Sequence, residues 1–99
     1  VFAMPSRSEA WGLAALEALS HGVPVIASNI QGLAEIVQPG VNGWLVRDND
    51  LRAWCEVVGG LTRPALAAMC EAARARAGQF SVERMAEKTE QFYARILGL

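Results

Sequence analysis

The 99-residue chain is short of several things, and each shortage removes a class of function. It has no basic excess: nine Lys and Arg against ten Asp and Glu leave a formal net charge of -1. A reader of phosphate backbones carries a cationic surplus, so nucleic acid is not an expected partner. Histidine occurs once and cysteine twice. Cys55 and Cys70 stand fifteen residues apart, with no CxxC pair and no histidine close to either. That spacing reads as two buried thiols in a reducing compartment rather than a zinc site or a disulfide framework. No apolar run approaches the ~20 residues of a membrane span. No signal-peptide pattern opens the chain, so the cytoplasm is the expected location. Peripheral attachment to a membrane stays open for a longer protein. Polar low-complexity tracts, internal repeats and long linkers are also missing.

What is present is globular: 53% of the residues are hydrophobic. A chain this size buries only about 60–70% of its unfolded surface, so its stability is expected to be modest. Val1-Phe2-Ala3-Met4, ended by Pro5, reads as a parallel strand covered on both faces. Gly12 to Ser20 is rich in helix formers and is stopped by Gly22 and Pro24. Val25-Ile26-Ala27-Ser28 is a second buried strand, and Leu33 to Val37 a short helix. Trp44-Leu45-Val46 is a third strand, entered through the turn dipeptide Asn42-Gly43. Thereafter the pattern is helical. Asp50 caps a helix with Leu51, Trp54, Cys55 and Val58 on one face, and Gly59-Gly60 ends it. A second helix runs from Pro64 to Gly78, carrying Leu66, Met69, Cys70 and Ala73. Ser81 caps the last, with a Phe80–Met85 staple and a face of Val82, Met85, Thr89, Phe92 and Ile96.

Strands alternating with helices imply an α/β fold: a parallel sheet of about three strands, flanked by helices and followed by a helical tail. Residues 1–99 read as part of one domain, with strands and loops over 1–46 and the tail over 47–99. The first strand is apolar enough to need a neighbour, so strands upstream of Val1 are expected.

The most informative stretch is Glu9 to Glu17, two acids bracketing Ala10-Trp11-Gly12-Leu13-Ala14-Ala15-Leu16, just after the turn signal Met4-Pro5-Ser6-Arg7-Ser8. It reads as strand, tight loop and helix start, and parallel sheets bind ligands beyond the carboxyl ends of their strands. Backbone N–H groups near Gly12, Leu13 and Ala14, with the helix dipole, favour a phosphate by up to ~2 kcal/mol. Glu17 lies roughly 7 Å further along the helix at 1.5 Å per residue. Glu9 stays in the loop on the other side. An ionised carboxylate suits a vicinal diol, each charge-assisted hydrogen bond contributing ~1.5–3 kcal/mol. The outline is that of a nucleotide diphosphate sugar. Spacing alone leaves other readings open: Ser6 and Glu9 as a capping box with Glu17 paired to His21, or two acids of a glycoside hydrolase.

Pro5-Ser6-Arg7-Ser8-Glu9-Ala10-Trp11-Gly12-Leu13-Ala14-Ala15-Leu16-Glu17-Ala18, followed by Gly22-Val23-Pro24-Val25-Ile26-Ala27-Ser28, resembles the C-terminal domain of the family 4 retaining glycosyltransferases. The likeness continues through Gly32-Leu33-Ala34-Glu35-Ile36-Val37 and Gly40-Val41-Asn42-Gly43-Trp44-Leu45-Val46, and more loosely through Phe80-Ser81-Val82-Glu83-Arg84-Met85-Ala86. The resemblance implies part of the Rossmann-like donor-binding domain of a GT-B enzyme. Such an enzyme transfers a sugar, with retention, from a nucleotide-diphosphate sugar to a hydroxyl. It implies Glu9 as the catalytic-site acid near the donor sugar, Glu17 on the ribose, and the backbone of Ala10, Trp11, Gly12 and Leu13 facing the diphosphate. No metal and no cofactor are implied. The chain departs from the family at Gln31-Gly32 and Ala34-Glu35, where Gly-Gly and Pro-Glu are common. The family's phosphate-contacting basic residues and its acceptor domain fall outside the chain. These 99 residues are therefore not expected to catalyse transfer alone, and the first strand is expected to self-associate. The competing class is a non-catalytic nucleotide-binding or interaction module.

Other polar and aromatic residues have plainer readings. His21 suits a helix C-terminus. Trp44 and Trp54 read as core, Trp11 is open, and Arg7 could reach a phosphate. Arg74 and Arg76 read as a solvated helix face.

Overall fold

A computed structural model describes residues 1–8 and 12–98, with the side chain of Val82 outside the description. Three short strands, β1 (Phe2–Met4), β2 (Val25–Ser28) and β3 (Gly43–Val46), form a sheet in the order β1-β2-β3. Both pairings are parallel, with Phe2 opposite Val25 and Val25 opposite Gly43. β2 lies between the other two and is buried along its whole length, as its unbroken apolar run requires. β1 differs from expectation. Phe2 keeps 37% of its surface exposed, because β1 has a strand on one side only among the described residues.

Helix α1 (Leu13–Ser20) buries Ala15 and Leu19, one turn apart on one face. Gly22 and Pro24 stop it as expected. The Gly22 N–H donates to the Leu19 carbonyl (2.9 Å) and the Val23 N–H to Ala18 (3.0 Å), while Gly22 takes the left-handed φ of 75°. These are the two bonds of a Schellman cap.

The helix expected over Leu33 to Val37 is instead a pair of turns. Ala34 N–H donates to Ile30, and Val37 N–H to Leu33, both at 2.9 Å. Six residues between Gly32 and Pro39 are too few to propagate a helix. Leu33, Ile36 and Val37 are nonetheless buried, joining Ala15, Leu19, Val25, Ala27 and Ala73 in one core.

Four helices follow: α2 (Leu51–Gly59), α3 (Arg63–Ala68), α4 (Cys70–Gly78) and α5 (Val82–Leu97). Asp50 caps α2 by accepting from the Ala53 N–H (3.0 Å), and Ser81 caps α5 through Arg84 N–H (3.2 Å), both as expected. The single helix expected from Pro64 to Gly78 is broken at Met69, a turn residue with φ of -91° and ψ of -9° between α3 and α4. The break has a packing reason. α3 buries nothing, whereas α4 lies along α1 and brings Ala73 into the core beside Met69. Phe80 packs against the core, and Met85 is half exposed.

Two expected core stripes stay open. α2 buries no residue, and Trp54 and Trp44 are only half buried. The stripe of α5, with Phe92 at 48% and Ile96 at 62%, is exposed, and α5 makes no substantial packing contact with another described element. No described helix is long and apolar enough to cross a membrane.

Candidate functional site

The carboxyl ends of the strands and the head of α1 meet at one end of the sheet. β1 delivers Pro5 to Ser8 there, and the chain re-enters the description at Gly12. Glu9, Ala10 and Trp11, three of the residues singled out in the sequence, lie outside the described residues. Gly12 is the N-cap of α1 and adopts φ 62°, ψ 37°. Left-handed backbone of this kind favours glycine. The space demands it as well: a Cβ at Gly12 would stand 2.8 Å from Ile36 Cδ1 and 3.1 Å from Leu33 Cδ2. The sequence suggests that Gly12 is small so that a ligand can approach. In the structure the close neighbour is the protein's own 30–37 turn.

Among the described residues no side chain caps the N-terminus of α1, and the first bond of the helix runs from Leu16 N–H to the Gly12 carbonyl (3.0 Å). Ser6 is therefore not this helix's cap. The leading residues Leu13 and Ala14 are exposed. An exposed helix N-terminus without a side-chain cap presents N–H groups and the positive end of the dipole to an anion.

Glu17 is exposed, and its carboxylate makes no hydrogen bond or ion pair among the described residues, so the i,i+4 pair with His21 does not form. Its backbone carbonyl accepts from the Ser20 hydroxyl at 2.6 Å. The residue lines a groove of about 490 Å³ between α1 and the end of α4, with Leu13, Leu16, Ser20, Arg74 and Phe80. An ionised acid held there can accept hydrogen bonds from hydroxyl groups. Arg74 is the cation of this groove.

On the β3 side of the strand ends a second cleft, about 480 Å³, is lined by Pro5, Arg7, Ser28, Asp48, Asn49 and Trp54. The two clefts share no lining residue, so the structure does not bring Arg7 and Glu17 together. Ser28 is 1% exposed and its hydroxyl has no hydrogen-bond partner. An unpaired buried hydroxyl of this kind costs ~1–3 kcal/mol.

Arg76 was expected in water and is found anchoring the turn beneath Gly12. Its Nε donates to the Ile36 carbonyl (3.1 Å), one terminal nitrogen to the Glu35 carbonyl, and the other to Gln79 Oε1 (2.6 Å). Its guanidinium also lies 4.9 Å above the Phe80 ring. Asn42 meets it from the other side. The Asn42 side-chain amide donates to the same Ile36 carbonyl (3.2 Å) and accepts from Gln38 N–H (2.7 Å). Sequence reasoning missed both residues. The available signal was an Asn-Gly pair four residues after a buried apolar run, which says turn but not anchor.

A three-stranded parallel sheet flanked by helices, with α1 starting beyond the end of β1, defines a Rossmann-like α/β unit. The family described as glycosyl transferases group 1 matches residues 1–74, and the chain belongs to that family. It is 42% identical over 98 residues to a D-inositol 3-phosphate glycosyltransferase of Mycobacterium avium, covering 96% of this chain and 23% of that protein. The corresponding enzyme of Corynebacterium urealyticum is 40% identical over 95 residues, covering 94% and 22%. Among solved structures, sucrose-phosphate synthase from Thermosynechococcus elongatus superposes with a TM-score of 0.82 at 34% identity, covering 97% of this chain and 25% of that one. The chain thus spans about a quarter of the length of the proteins it matches. The expected fold, a partial Rossmann-like sheet with a helical tail, is the fold found, and it is shared with that synthase.

Proposed function

We propose that the chain is the donor-binding part of a glycosyltransferase that takes a sugar, with retention, from a nucleotide-diphosphate sugar and delivers it to a hydroxyl. The strongest support is the head of α1: a helix N-terminus beyond the end of β1, with the carboxylate of Glu17, which makes no hydrogen bond or ion pair among the described residues, further along the same helix. The amides from Ala10 to Leu13 face the diphosphate and offset the charge that builds on it as the glycosidic bond breaks. Glu17 accepts from the ribose hydroxyls, and Glu9 from the hydroxyls of the donor sugar. No step requires a metal among these residues. The acceptor and the groups that bind it belong to sequence beyond this chain, in keeping with the quarter-length match to relatives. Relatives named for D-inositol 3-phosphate make a phosphorylated polyol the first acceptor to try.

The test is steady-state kinetics of the full-length protein with UDP-, GDP- and ADP-linked sugars. Losing one charge-assisted pair costs ~1.5–3 kcal/mol, so Glu17→Ala should raise the donor KM by about tenfold to a hundredfold. Glu9→Ala should instead lower kcat by about a hundredfold. An unchanged KM in the first variant removes Glu17 from the ribose, and wild-type turnover in the second removes Glu9 from the reacting sugar.

A further inference from the structure

Arg76 and Asn42 bear on the head of α1 through the 30–37 turn. Both donate to the carbonyl of Ile36, from α4 and from the residue before β3. Arg76 grips Glu35 as well, and Asn42 closes the loop by accepting from Gln38. The 30–37 segment has no regular element to hold it, so these bonds and its buried side chains fix its place. On its other face the same segment presents Ile36 and Leu33 to Gly12, leaving too little room for even one added methyl. Packing that tight transmits displacement: a turn that shifts must push Gly12 or leave it unsupported. Gly12 sits in the left-handed region, where the backbone direction of the first amides of α1 is set.

We propose that Arg76 and Asn42 are positioning residues for the diphosphate-facing amides, acting through Ile36 on Gly12. The proposal rests on the donor reading of the α1 head, and extends it to two residues that need not contact the ligand. It gives the helical tail a part in donor binding, because Arg76 lies on α4 and stands two residues beyond the stretch that matches the family. A displacement of about 1 Å in such a site is enough to cost a hundredfold in rate, so modest slack in the turn should be measurable.

Two mild variants of the full-length protein test this. Arg76→Lys keeps the charge and loses the forked donors. Ile36→Val leaves every hydrogen bond to the Ile36 carbonyl in place and removes the Cδ1 methyl that abuts Gly12. UDP, GDP and ADP are titrated by calorimetry, and hydrogen exchange is followed in the peptide spanning residues 12–19. In both variants we expect the tightest nucleotide to bind about tenfold more weakly, donor KM and kcat to worsen together because the same amides hold the leaving diphosphate, and the Leu16 amide, the first hydrogen-bonded one of α1, to exchange about tenfold faster. A purely structural role would lower the unfolding midpoint and leave nucleotide affinity of the folded protein unchanged; that result overturns the proposal. If the wild-type protein binds none of the three nucleotides, the donor reading falls by itself. Exchange then decides the mechanical link alone, and an unchanged rate at the Leu16 amide of both variants refutes it.

Discussion

At Gly43 the position of a side chain is already occupied. An added Cβ would lie 1.9 Å from the carbonyl oxygen of Val25, its partner in the sheet. The neighbour is backbone and cannot swing aside, so Gly43→Ala must part β2 from β3. We expect a loss of about 3 kcal/mol or more, read from the midpoint of urea unfolding. Wild-type stability in that variant would contradict the register. The adjoining Asn42 shows what a sequence can and cannot reveal. Asn42-Gly43 announces a turn through local backbone preferences, and the turn is there. That the Asn42 amide is wholly buried and bridges Gln38 and Ile36 depends on the fold around it, and no local pattern encodes it. Gly12 is the same kind of case: its need to be small is legible, but the neighbour that imposes it comes from twenty residues further along the chain.

Elements with an intrinsic start or stop were readable. β2 announces itself by three successive apolar residues, Val25, Ile26 and Ala27, α1 by its glycine stop, and α2 and α5 by the caps Asp50 and Ser81. Elements whose boundaries are set by packing were not. The 30–37 segment gave up helix for two turns, and the helix through Met69 broke so that α4 could lie on α1. Arg74 and Arg76 make the contrast testable, since periodicity gives both the same solvated role. Arg76→Ala removes bonds to the Ile36 and Glu35 carbonyls and should destabilise by about 1–3 kcal/mol. Arg74 makes no ion pair among the described residues and is exposed, so Arg74→Ala should change stability by less than ~0.5 kcal/mol. Parallel denaturation curves of the two variants separate them, and equal losses would deny Arg76 its anchoring role.

The molecule as a whole measures 53 × 27 × 17 Å, with the α1–α4 layer and the sheet forming one packed body and α5 taking no substantial part in it. Its exposed apolar side chains include Val1 and Phe2 at β1 and the Phe92, Tyr93, Ile96 and Leu97 stripe of α5, besides Leu13 on α1 and Leu51 and Val58 on α2. The 99-residue chain is therefore proposed to self-associate through β1, whose outer edge can add a strand. Sedimentation velocity across a concentration series should show a rising average mass that falls back on Phe2→Lys; a concentration-independent monomer would refute it. The Arg76 anchor also bears on how this protein can be cut for study. A truncation that stops at residue 74, where the family match ends, would omit the guanidinium that fastens the 30–37 turn beneath the helix head. Someone trimming the gene to the recognised boundary would keep Glu9, Glu17 and the helix head, and lose the proposed latch together with Phe80 from the groove beside Glu17.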